Sequence, residues 1–337
     1  MIMKGLTFRS IISSAGLLLV ALSAGCGSDS PAEPQLGKVT FSATSTADSR
    51  AGEVVGFYDE GSSFKVWATM HSADNAAGVS TVFDAQEIVS DGKGFWNYDG
   101  EEYWWPLMVY NFRALYPASV EGVSFSAEQG ENASISVKNF DATGGVDLMA
   151  ASDRRETGVG GKDELPVSLK FNHLLSRVSF RGRSDESRLG RGRRVIVTSA
   201  SIYGVAAKGD WSGATGSWTA TNPTGSAEQP VYKVEYPDGL ELSTDGTDLF
   251  TGDKTILAIP QTLTEEARFV IEFHYNVNAE RSFTVEVPLV APGVNGEWKR
   301  GASIRYPFSV ETGVFFSAPT VAPWDEISVD SPDFKIE

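Results

Sequence analysis

The apolar residues of this 337-residue chain recur at period two, in short runs, and not at the helical period. Val39-Thr40-Phe41-Ser42-Ala43, Phe64-Lys65-Val66-Trp67-Ala68, Ile135-Ser136-Val137, Val167-Ser168-Leu169-Lys170-Phe171, Phe269-Val270-Ile271-Glu272-Phe273 and Phe283-Thr284-Val285-Glu286-Val287 all show the pattern. Successive strand residues face opposite sides of a sheet, so each run covers a core with one face and meets water with the other. Turn clusters such as Ser90-Asp91-Gly92, Asn97-Tyr98-Asp99-Gly100 and Thr244-Asp245-Gly246-Thr247 separate the runs at hairpin spacing. No stretch sustains a helical period beyond a turn or two, with Thr264-Glu265-Glu266-Ala267 as one candidate turn. The expected class is all-β, built as sandwiches.

Length favours two domains, and a hydrophobic content of 41% with 11% aromatics supplies their cores. The candidate boundary is Ser152 to Glu164, a charged and glycine-rich break longer than most connections inside one domain. Domains over residues 37–160 and 161–337 are expected from it. Arg181 to Arg194 reads as a long hairpin tip between paired strands at Val178-Ser179-Phe180 and Val195-Ile196-Val197.

The N-terminus reads as an export signal. Lys4 and Arg9 precede an apolar stretch, Ile11 to Leu22, that is short for a membrane span, and Ala24-Gly25 supplies small residues before Cys26. Residues 1–25 are expected to be a bacterial lipoprotein signal, with Cys26 acylated and the mature chain anchored in the outer-membrane lipid. Ser23 stands where the usual pattern has a large aliphatic residue, and Leu22 lies one place further back. Residues 26–36, small, polar and proline-punctuated, form the expected tether. Loss of Lys4 and Arg9 with the signal moves the formal charge from −16 to −18, which disfavours nucleic acid and anionic lipid as partners.

Catalytic signals are weak. Cys26 is the single cysteine, which excludes disulfides, thiol catalysis and cysteine zinc sites from the mature domains. His71, His173 and His274 lie far apart with no second ligand at metal spacing. No Gly-x-Ser-x-Gly elbow occurs, and Gly158-Val159-Gly160-Gly161-Lys162-Asp163 lacks the hydroxyl residue of a phosphate loop. Glu101-Glu102 and Glu265-Glu266, adjacent in sequence, point to opposite faces of a strand. No enzyme activity, metal or cofactor is expected. The aromatic group Phe95-Trp96, Tyr98, Tyr103-Trp104-Trp105 and Tyr110 fits either a core or an exposed platform for glycans. The second alternative would make the chain a monomeric surface lipoprotein that binds glycans through Trp96 and Trp104-Trp105.

The order of several motifs resembles the Mfa-like fimbrillin family of pilin lipoproteins. After the lipoprotein start come Val39-Thr40-Phe41-Ser42, Ser49-Arg50-Ala51, Tyr103-Trp104-Trp105-Pro106-Leu107, Phe112-Arg113-Ala114-Leu115-Tyr116-Pro117 and Asp147-Leu148-Met149-Ala150-Ala151. Then follow Leu169 to Phe180, Ile256-Leu257-Ala258-Ile259-Pro260-Gln261 and a terminal Ala322-Pro323-Trp324. The resemblance implies two transthyretin-like β-sandwich domains in tandem and a structural role in a cell-surface fimbria of type V, supporting adhesion. It implies a trypsin-like, Arg-specific protease acting after Arg50, loss of a first strand carrying Val39, Phe41 and Ala43, and refilling of the groove by a strand of another subunit. In a homo- or heteropolymer of this kind the donor candidate is the tail, with Ile327, Val329, Phe334 and Ile336, interrupted by Pro332. Stalk, tip and anchor roles, and the surface receptor, stay open.

Acylation is expected at Cys26. Cells fed an alkyne fatty acid should label the wild-type chain, and the Cys26→Ala variant should carry no label.

Overall fold

The computed structural model describes residues 37–45, 57–127, 132–159, 165–190, 192–290, 296–311 and 314–324. Seven strands close into a barrel in the pairing order β1 (Phe41–Ser45), β4 (Trp96–Asn97), β3 (Asn75–Ser90), β2 (Ser63–Ser72), β5 (Met108–Tyr116), β8 (Met149–Glu156) and β9 (Val167–His173). Alternation sets the inside of the barrel: Val167, Leu169 and Phe171 point inward from β9, while Ser168, Lys170 and Asn172 meet water. Their partners inside are Phe41, Phe64, Phe83, Trp96, Trp104, Tyr110 and Phe112, all buried.

A second sheet, in the order β13 (Ser217–Ala220), β12 (Lys208–Ser212), β7 (Ser134–Asp141) and β6 (Val123–Ser126), lays Ile135, Val137 and Trp211 over a separate core. Trp67 and Leu115, from β2 and β5, join that core, so these barrel strands carry apolar residues on both faces. The remaining strands make a sandwich. One sheet centres on β10 (Ser176–Ser184) and β21 (Ala302–Val310), paired in parallel, with β15 (Thr247–Leu249) and β16 (Ile256–Ala258) beyond β10. Beyond β21 lie β22 (Val314–Phe316) and β23 (Thr320–Pro323). The facing sheet runs β14 (Tyr232–Glu241), β11 (Val195–Tyr203), β18 (Arg268–Tyr275) and β19 (Asn278–Pro288). A short pair, β17 (Gln261–Thr262) with β20 (Glu297–Trp298), one α-helical turn, α1 (Glu186–Leu189), and 3-10 turns at Ala142–Gly144 and Gly252–Lys254 complete the described elements.

The all-β expectation holds, with two corrections of detail. Ser152 to Glu156 is not part of a break: it is the second half of β8, in register with β5 from Val109↔Glu156 to Tyr116↔Met149. Its charges sit on the strand, where the Arg155 Nε donates to Asp153 Oδ2 at 2.8 Å. Beyond residue 160, β9 pairs with β1 and β8. Arg181 to Arg194 is not a hairpin tip. Arg181 to Ser184 continues β10, and the chain then crosses through α1 to the facing sheet, so Val178 and Phe180 meet Val195 and Val197 across the core and not along an edge.

The sandwich depends on aromatic packing between its sheets. Phe180 of β10 stacks on Phe269 of β18 at 4.3 Å and on Tyr306 of β21 at 5.2 Å between ring centroids. Phe180→Ala is expected to cost about 3–5 kcal/mol, read as a fall in the urea midpoint at unchanged slope.

Candidate functional site

The N-terminal strand is the first of the barrel in chain order, and its apolar face is buried. Val39, Phe41 and Ala43 are buried, at 0%, 5% and 7% exposure. Phe41 meets Phe83, Tyr98 and Phe112 in edge-to-face contacts with centroids 5.6, 5.8 and 6.1 Å apart. Burial of Val39 and of Phe41 contributes about 1.5–3 kcal/mol each.

The pairing of this segment is two-sided. On one side β1 runs parallel to β9 through five registered residues, from Phe41↔Val167 to Ser45↔Phe171. On the other side it meets β4 at Phe41↔Trp96 and then the loop that follows β4. There the Val39 N–H donates to the Glu102 C=O at 2.8 Å, and the Trp104 N–H donates to the Gly37 C=O at 2.9 Å. Period two reports which face is buried and is silent on how many edges are paired.

Tyr98 fastens the strand to that loop. Its hydroxyl donates to the Val39 C=O at 3.0 Å and accepts from the Glu102 N–H at 3.3 Å. The Lys38 ammonium lies 5.0 Å from the centre of the same ring. Burial raises the Tyr98 pKa above the usual phenol value, with the nearby carboxylates adding to the rise, so the hydroxyl stays protonated and available as a donor. Sequence reasoning placed Tyr98 among the ambiguous aromatics and its neighbours in a hairpin turn; the hydrogen bond to Val39 spans 59 residues and leaves no local signal.

The other aromatics divide. Trp96, Trp104 and Tyr110 are core residues, which removes Trp96 and Trp104 from any glycan platform, whereas Phe95, Tyr103 and Trp105 are exposed. His173, at the end of β9, is buried, with Nδ1 3.0 Å from Asp147 Oδ1 and its ring stacked at 4.0 Å on Trp324. Trp324 is the last described residue, and its N–H donates to the Gly301 C=O at 3.0 Å. The described chain therefore ends beside the end of β9, two residues beyond the Ser45↔Phe171 pair. Cys26, Arg50, Ile327, Val329, Phe334 and Ile336 lie outside the described residues. Among the described residues no group of three His, Cys, Asp or Glu side chains is placed to hold a metal, and no helix is long and apolar enough to cross a membrane.

Removal of the Tyr98 hydroxyl should loosen the strand without emptying the core. Tyr98→Phe is expected to cost about 0.5–1.5 kcal/mol and to speed amide exchange at Val39 and Phe41. Phe41→Ala, which leaves a cavity among three rings, should cost about 3–5 kcal/mol.

The chain was compared with known proteins. It resembles the solved structure of a fimbrial protein from Bacteroides vulgatus with a TM-score of 0.58 at 14% identity, covering 86% of this chain and 100% of the other. It resembles a candidate cell adhesion protein from Bacteroides ovatus with a TM-score of 0.51 at 13% identity, covering 88% and 100%. At such identities these likenesses speak for the fold. No curated protein matches the sequence. The family profile described as Fimbrillin-like matches residues 47–324, nearly all of the described fold. The chain belongs to the fimbrillin-like family.

Proposed function

We propose that this chain is the precursor of a fimbrial subunit whose first strand is a removable plug. Fimbrillin-like proteins are structural proteins of cell-surface fimbriae and not enzymes, and association with other fimbrial subunits follows from membership. The observation that carries the finer reading is the position of β1: it closes the barrel, yet it is short, N-terminal and joined to the rest of the fold by its C-terminal side alone.

Cleavage after Arg50 by a trypsin-like protease would detach residues 27–50 together with the lipid on Cys26. The departing strand would uncover Leu169 and Phe171 of β9 on one wall and Trp96 and Tyr98 on the other, with Phe83 and Phe112 at the base. Such a groove has unpaired backbone on both sides and pockets at alternate positions, which is what an incoming strand recognises. A tail carrying Ile327 and Val329, from a neighbouring subunit, supplies alternating apolar residues. Donor and groove are different surfaces, so the contact is heterologous and propagates.

Arg50→Ala should leave the fold intact and block both processing and polymerisation. Deletion from Asp325 onward should spare cleavage and prevent donation. Normal filaments from Arg50→Ala protein overturn strand replacement at this site; normal filaments from the tail deletion assign the donor elsewhere in the chain.

A further inference from the structure

The pole of the barrel where the chain enters carries an exposed apolar patch. Trp105, Leu107 and Val159 are 42%, 51% and 82% exposed. They are neighbours through the backbone: the Leu107 N–H donates to the Gly158 C=O at 3.2 Å, and Trp104 donates to Gly37, the first described residue. Trp105 and Leu107 are rigidly mounted. The Trp105 N–H donates to the Tyr110 hydroxyl at 2.7 Å, and its C=O accepts from the Thr157 hydroxyl. Leu107 is held at φ +54°, a left-handed conformation uncommon for a branched apolar residue, and its side chain is nevertheless presented to solvent. A fold that fixes large apolar side chains outward, on strained backbone, has built a contact surface.

The chain's own anchor says what covers it. We propose that, in the lipid-anchored precursor, Trp105, Leu107 and Val159 rest in the interfacial layer of a zwitterionic membrane. The inference rests on the reading of Cys26 as the lipid attachment point. Ten residues separate Cys26 from Gly37. Covalent geometry limits their reach to about 40 Å, so the Gly37 pole is the part of the fold held nearest the bilayer. Tethering turns even a weak patch into an intramolecular contact. A Trp beside aliphatic residues suits the headgroup level of a membrane, where one side of the ring is apolar and the other wet. Asp74, Glu101, Glu102 and Glu156 outnumber Lys38 and Arg154 among the exposed charges at the same pole and disfavour anionic headgroups. Release of residues 27–50 would remove the tether and with it the contact.

The test uses the tryptophans already present. Of eight, Trp105 is the exposed one; six are buried, and half-buried Trp218 has its indole N–H tied to the Leu174 C=O. The chain from Cys26 to Glu337 is coupled through its single thiol to a maleimide lipid in phosphatidylcholine vesicles, with plain or brominated acyl chains. Coupling of this kind holds whether or not cells acylate Cys26. Brominated lipid should quench part of the tryptophan emission, and the quenching should vanish in Trp105→Phe. It should fall sharply in the double variant Leu107→Asp with Val159→Asp, whose surface positions leave the melting transition unchanged. Equal emission on plain and brominated vesicles overturns the inference, as does undiminished quenching in the double variant. Fatty-acid labelling of Cys26 in cells tests the anchor reading separately.

Discussion

The closing pairs of β1 are the constraint from which the rest of this fold takes its meaning. A barrel has no free edge as long as every strand has two neighbours, and here the last neighbour is supplied by five residues near the N-terminus. Phe41 fills the centre of the inner core, the Val39 amide and carbonyl are both occupied, and the Tyr98 ring covers the seam. Each contact is ordinary. Together they make one short segment the difference between a sealed barrel and an open one.

Much of the architecture was legible in the sequence because the buried faces are so regular. Val39, Phe41 and Ala43, or Val167, Leu169 and Phe171, identify themselves by alternation alone. What stayed hidden had two physical causes. Charged residues on the outer faces of strands imitate loops: Asp153 and Arg155 neutralise one another on β8, and Arg181 of β10 donates to Asp248 at 2.8 Å. Partners remote in sequence, such as Tyr98 with Val39 or His173 with Trp324, leave no periodic trace. The β1 segment was therefore readable as a face and unreadable as a seam.

The direction of β1 and β9 gives the molecule two ends with different contents. Because the pair is parallel, Gly37 and the start of β9 share one pole, while Ser45 and His173 share the other. Trp324, stacked on His173, brings the C-terminal segment to this second pole. Gly37 and the Trp324 end thus lie about ten registers, or about 33 Å, apart along the strands, given a rise of about 3.3 Å per residue. A subunit whose described chain begins at one end of the barrel and finishes at the other is already directional before it meets a partner.

The same pairing sets an order of events during maturation. Ser42 and Val167, joined by a hydrogen bond, lie 125 residues apart. As the chain emerges N-terminus first, β1 arrives before any other strand of the barrel and can find its parallel partner only after β9 has followed. Until then Val39, Phe41 and Ala43 have only β4 and the loop after it to pair with, so the seam with β9 closes the longest loop in the barrel. Sealing the barrel is the step that joins its first strand in the chain to its last.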